Sequence, residues 1–169
     1  MEGYVSWGLK KGWKALSSLL PVYKKWGITP VKAKGTWLSA EDGKDYLDFT
    51  SGIGVVNLGH GHEEVMMEVQ AQLARFWHTS NLFQLPIQEE TASLLAQLSG
   101  LDKVFFCNSG TEANEAALKL ARRATGKTTI ITCSQSFHGR TFGAMAATGQ
   151  SSIHSGFGPV LEGFSYLPF

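Results

Sequence analysis

The chain has 169 residues, of which 17% are charged, and a net charge of +1. Length alone is that of one domain, and a charged fraction below the roughly 25% of an average soluble domain points to a well-buried chain, not a disordered one. The near-neutral balance offers no field for nucleic acid, and no apolar run approaches the length of a membrane span.

Residues 1–34 carry seven lysines and one acid, and the rest of the chain is net acidic. Leu9, Trp13, Leu16 and Leu20 recur at helical spacing and predict a short amphipathic helix with its lysines solvated. The stretch has no arginine and no apolar h-region, so neither a transit nor a secretory peptide is read from it. Strands are predicted around Thr36–Ser39 and Tyr46–Phe49, joined by the turn Glu41-Asp42-Gly43-Lys44. Asp42, Asp45 and Asp48 fit a solvated hairpin, with Asp48 as a cap or inter-strand partner. Ser51-Gly52-Ile53-Gly54 reads as a flexible apolar stretch. His60, His62 and His78 lack the cysteine or carboxylate that would complete a metal tetrad, so no metal is assigned.

Helices follow over about Glu63–Phe76, with Val65, Val69, Leu73 and Phe76 on one face, and about Gln88–Leu98. Lys103–Cys107 (KVFFC) is apolar enough for a buried strand. Asn108-Ser109-Gly110 is a turn with helix-capping residues, and the helix Thr111–Ala124 presents a face rich in alanine before Gly126 stops it. Thr128–Cys133 is a β-branched strand. Strand, helix, strand in about thirty residues predicts a parallel βαβ unit, and hence an α/β fold. Ligands in such sheets bind beyond the carboxyl ends of the strands, which places function in Asn108–Thr111 and Ser134–Thr141. Cys107 and Cys133 each end an apolar run and read as small buried hydrophobes. With no secretory signal, they lead to the expectation of a reducing cytoplasm.

At Asn108-Ser109-Gly110-Thr111 a turn feeding a helix leaves amides and a positive dipole end for an anion such as a phosphate. Ser109 and Thr111 add hydroxyls, and Gly110 opens the backbone to close approach. It is neither a G-K-[ST] loop nor G-x-G-x-x-G, and a plain capped helix start remains the alternative. In Ser136-Phe137-His138-Gly139-Arg140, Phe137 can stack on a flat ring, His138 can stack or hydrogen-bond, and Arg140 can grip a carboxylate with its planar fork. No G-x-S-x-G elbow supports a serine hydrolase.

These residues resemble the class III pyridoxal-phosphate aminotransferases, and within them the acetylornithine branch, from about Leu19 to Phe169. The resemblance rests on Asp45–Phe49 leading to Gly52-Ile53, on Asn57-Leu58-Gly59-His60 and on Ser80-Asn81-Leu82-Phe83. Its strongest parts are Phe106–Glu115 (FCNSGTEANE) and Ser136–Thr141 (SFHGRT). It implies fold-type I, with a hairpin-containing small-domain segment over 16–80, the start of a large, mostly parallel sheet domain over 81–169, and 1–15 left unassigned. It implies that Ser109, Gly110 and Thr111 hold the phosphate of pyridoxal 5'-phosphate, that Phe137 lies against its ring with His138 beside it, and that Arg140 and Asn81 meet the substrate. Glu112 and Glu115 complement the helix dipole, with a supporting role in the pocket or plain solvation as the two options. The implied reaction moves an amino group from N-acetylornithine to 2-oxoglutarate in a homodimer, with ornithine, 4-aminobutyrate and succinyl-diaminopimelate as alternative donors. The Schiff-base lysine of the family belongs to a motif beyond Phe169, so no catalytic residue is assigned. The chain is therefore expected to be the N-terminal part of a longer enzyme and inactive alone, with a non-catalytic remnant as the other reading.

Overall fold

The computed structural model describes residues 18–169. Leu9, Trp13 and Leu16 of the predicted amphipathic helix lie outside the described residues, and Leu20 is in no helix. The chain divides into two compact units, one ending at Leu82 and the other running Phe83–Phe169.

The first unit holds an antiparallel meander of β1 (Pro30–Lys34), β2 (Trp37–Ala40) and β3 (Asp45–Leu47). Gly35 turns between β1 and β2 with φ 57°, and Gly43 turns between β2 and β3 with φ 80°, a region glycine enters without strain. Ser39 Oγ donates to Asp45 Oδ1 at 2.7 Å across the second pair. β1 was not among the expected strands: its alternate lysines, Lys32 and Lys34, mark an edge strand, where solvated charges blunt further pairing.

The expectation of a flexible stretch at 51–54 is corrected. α1 (Ser51–Gly54) is one turn, and it is left-handed, with φ of 50°, 63°, 64° and 75° at Ser51, Gly52, Ile53 and Gly54. Such a turn costs roughly 1–2 kcal/mol for each residue that is not glycine. Asp48 holds it. Its Oδ1 accepts from Thr50 N at 3.0 Å, Thr50 Oγ1 at 2.6 Å and Ser51 N at 3.0 Å, while Oδ2 meets His60 Nε2 at 2.8 Å. His60 is fixed in turn by paired backbone bonds with Gly35, at 2.7 and 2.8 Å. α2 (Glu63–Arg75) follows, its N-cap the His62 side chain.

The second unit contains α3 (Pro86–Ser99), α4 (Gly110–Thr125), β4 (Ile130–Cys133), α5 (Phe142–Ala147), α6 (Ser151–His154) and β5 (Phe164–Leu167). α3 starts two residues before its predicted bound because Pro86 suits the first helical position. Gly100 and Gly126 end α3 and α4 in the left-handed conformation. β4 and β5 are parallel, in register from Ile130↔Phe164 to Cys133↔Leu167. α5 is the core: Gly143, Ala144, Met145, Ala146 and Ala147 are all buried.

The predicted strand at 103–107 is not formed, and the βαβ unit built on it is replaced by the β4–β5 pair. An apolar run becomes a strand only when a neighbour takes its backbone bonds, and none of the described residues does. Phe105 is accordingly 69% exposed. Cys107, expected to be buried, is exposed for the same reason, while Cys133 on the paired β4 is half-buried. Among the described residues, no helix is long and apolar enough to cross a membrane.

The Asp48 side chain is only 5% exposed, and the Thr50 hydroxyl, then His60, hold its carboxyl well below the usual range. A carboxyl lowered in the folded state stabilises above its unfolded pKa, near 4, and that contribution fades as pH falls through the native value. Asp48→Asn in the whole natural protein is therefore expected to lower the denaturant midpoint at pH 7, with the gap to the parent closing below about pH 4. A gap of constant size down to pH 3 would contradict this.

Candidate functional site

Ser109 caps α4 with extended backbone, and its hydroxyl accepts from Glu112 N at 3.3 Å and donates to Glu112 Oε2 at 2.8 Å. Asn108 N and Nδ2 also donate to the Glu112 carboxylate, at 3.0 and 3.2 Å. This is a variant of the capping box, with the Glu112 carboxylate reaching Asn108 N one residue before the cap, and the Ser109 hydroxyl, then the Asn108 side-chain amide, lower the Glu112 pKa. Gly110 N and Thr111 N, by contrast, have no partner among the described residues. A Cβ on Gly110 would meet nothing within 4 Å.

The segment after β4 is tied down by polar side chains. Ser136 Oγ accepts from Gly149 N at 3.1 Å, and Gln150 Nε2 donates to Ser136 O at 2.9 Å. His138 N donates to Thr148 Oγ1 at 3.0 Å, and His138 Nε2 meets Thr132 Oγ1 at 2.8 Å. The His138 ring, with Ala117, Leu118, Ala121 and Ile130, lines a cavity of about 210 Å³ between α4 and β4. Phe137 keeps 53% of its surface exposed, and Arg140 is exposed.

α4 grips this segment along one face. Asn114 Nδ2 donates to His138 O at 2.6 Å, and the Thr111 and Thr141 hydroxyls meet at 3.2 Å. Glu115 accepts from the Thr141 hydroxyl and, at 3.0 Å, from Ala144 N. Thr141 first, then the α5 amides, keep its carboxyl below the usual range. Glycine is required at 139, where φ is 139° and an added Cβ would stand 2.5 Å from Thr111 Cβ and 2.9 Å from Ala144 Cβ.

The structure therefore brings together Ser109, Gly110, Thr111, Phe137, His138 and Arg140 around two adjoining segments. Of these, the Ser109 hydroxyl is spent on the cap and the His138 Nε2 on Thr132. Asn81 belongs to the first unit and is exposed. Asn114, Thr141 and Thr148 were missed. Asn114 could have been found, since 111, 114 and 115 share one helical face. Thr132 and Thr148 signal nothing locally. Among the described residues no three of His, Cys, Asp and Glu gather as a metal site; His60 and His62 are taken up by Asp48 and the α2 cap.

Two unpartnered amides at a helix start, on the helix to which the segment bearing Phe137 and Arg140 is bonded, suit an anionic ligand. The aminotransferase class-III family profile matches residues 21–169, and the chain belongs to that family. It is 60% identical over 154 residues to the acetylornithine aminotransferases of Halalkalibacterium halodurans and Bacillus subtilis, covering 91% of this chain and 40% of each relative. The chain thus spans about two fifths of the length of these curated relatives. Among solved structures it is similar to the ornithine aminotransferase of Toxoplasma gondii ME49, with a TM-score of 0.84 at 26% identity over 90% of this chain and 38% of that one. It is similar also to taurine:2-oxoglutarate aminotransferase from Bifidobacterium kashiwanohense in complex with PLP and glutamate, with a TM-score of 0.82 at 29% identity over 89% of this chain and 35% of that one. These neighbours are fold-type I enzymes, and the fold of this chain is theirs.

Gly139→Ala is expected to destabilise the protein by at least about 2 kcal/mol, because the new carbon overlaps Thr111 and the backbone is strained. Gly110→Ala, whose carbon meets open space, should change stability by less than about 1 kcal/mol. Denaturant midpoints compare the two, and equal losses would contradict the packing described.

Proposed function

We propose that the whole natural protein uses pyridoxal 5'-phosphate to transfer an amino group from N-acetylornithine to 2-oxoglutarate, as a cytoplasmic homodimer. The two unpartnered amides of Gly110 and Thr111, at the start of the helix that the segment carrying Phe137 and Arg140 is bonded to, carry this reading. The residues fit the cofactor: the backbone amides of Gly110 and Thr111 take the phosphate, and the helix dipole favours its charge by roughly 0.3–2 kcal/mol, while the Thr111 hydroxyl gives its proton to Thr141, which in turn donates to Glu115.

When bound, the cofactor supplies an electron sink for the carbon that loses its proton. Phe137 lies against the flat ring, and His138, its Nε2 tied to Thr132, leaves Nδ1 as the ring atom for a ligand. The Arg140 guanidinium holds the substrate α-carboxylate through two parallel bonds, which fixes the orientation of the amino-bearing carbon. Ser109 serves mainly as the cap that presents the amides beside it. Asn81 enters on the resemblance alone. The first unit corresponds to a small-domain segment and the second to the start of the cofactor domain. Exposed apolar side chains such as Leu94, Leu98 and Leu120 support further covering of the second unit, since large uncovered patches mark interaction surfaces.

The donor is chosen on the 60% identity to acetylornithine enzymes. Likeness to an ornithine enzyme supports ornithine as the second reading, at the lower identity of 26%. Turnover of the two donors by the whole protein separates them. Arg140→Ala is expected to raise KM for N-acetylornithine by about 10- to 100-fold, the equivalent of one lost charge-assisted pair. An unchanged KM would remove Arg140 from the carboxylate site.

A further inference from the structure

Thr111 and Glu115 stand one turn apart on α4, and Gly139 and Gly143 stand four residues apart in the segment that crosses it. Each α4 side chain enters the space that a missing β-carbon leaves open. A Cβ on Gly143 would lie 2.5 Å from Glu115 Oε2 and 2.7 Å from Oε1. The Glu115 carboxylate thus sits against the backbone of Gly143, where it accepts from the Thr141 hydroxyl and from Ala144 N. Arg140 lies between Gly139 and Thr141, and both of those are fastened to α4.

We propose that Glu115 is a positioning residue for substrate binding: its carboxylate, seated over Gly143 and bonded to Thr141 and Ala144, sets the backbone from which Arg140 reaches the substrate carboxylate. The proposal rests on the aminotransferase reading for what Arg140 binds, and on geometry alone for the lock itself. Reach, not charge, is the requirement. Aspartate is one methylene short of Thr141 and Ala144, whereas glutamine keeps the length and one acceptor oxygen. The bland alternative is a carboxylate that only steadies the start of α5, where a negative charge is favourable.

The test uses the whole natural protein and the variants Glu115→Ala, Glu115→Asp, Glu115→Gln and Gly143→Ala. In the cofactor-free proteins, hydrogen exchange at the Ala144 amide is expected to quicken at least about tenfold in E115A, E115D and G143A, and to stay within about threefold in E115Q. With cofactor, KM for N-acetylornithine is expected to rise at least about tenfold in the same three, with kcat within about threefold. G143A reproduces the defect by crowding the Glu115 carboxylate with Glu115 itself unchanged, which keeps the test alive if E115A fails to fold. Parent-like exchange in E115D would overturn the proposal, as charge would then suffice. Quickened exchange with unchanged KM would overturn it too, leaving a structural cap only. Parent protein that turns over no amino-acid donor would sink the aminotransferase reading, and with it the role given to Arg140, while the exchange pattern would still decide the lock.

Discussion

Two missing β-carbons decide where the segment after β4 can lie. With side chains at 139 and 143, Thr111 and Glu115 would have no room, and α4 would stand off from α5 by the width of a methyl group. With glycine at both, the backbone of the segment comes within hydrogen-bonding distance of the helix. The contacts of Asn114 with His138, Thr111 with Thr141 and Glu115 with Ala144 then follow from α-helical spacing. Every residue assigned to ligand binding in the second unit stands on, or next to, one side of this seam.

The same seam explains a division of labour at the start of α4. A helix begins with amides that have no partner in the helix itself. Ser109 and Glu112 satisfy some of the polar groups at that end, and the Ser109 hydroxyl has no proton left to donate. What remains open is Gly110 N and Thr111 N, side by side. The cap spends one hydroxyl to orient two amides, and an anion meets backbone donors whose position does not depend on a rotamer. In the first unit Asp48 plays the opposite part: a nearly buried carboxylate uses both oxygens to hold a left-handed turn that its own sequence would not favour.

Much of this was legible in the sequence wherever the signal is local. The apolar spacing of α2, α3 and α4, the glycine stop at Gly126 and the Gly43 turn each depend on residues a few positions apart. The two loops named as functional do meet. What was not legible depends on distant partners. KVFFC has every property of a strand except a neighbour, and no window of sequence contains the neighbour. Asp48 reads as a cap or inter-strand partner, and it does accept from Thr50 N and Ser51 N, but its bond to His60, twelve residues on, lies beyond any local signal. For Glu115 the sequence leaves pocket support and plain solvation both open until Gly143, with its empty side, is laid over it. The β1 strand was hidden by the lysines that mark it as an edge.

The cradle at the start of α4 is tested most directly by the amide resonance of Gly110 in cofactor-free whole protein labelled with ¹⁵N-glycine. Addition of pyridoxal 5'-phosphate should move the Gly110 amide proton downfield as the phosphate accepts from it. Pyridoxal, which lacks the phosphate, should leave it unmoved, and Gly126 at the far end of α4 should respond to neither. Pyridoxal 5'-phosphate that binds while the Gly110 resonance stays in place would contradict the cradle, and the phosphate would have to be held elsewhere.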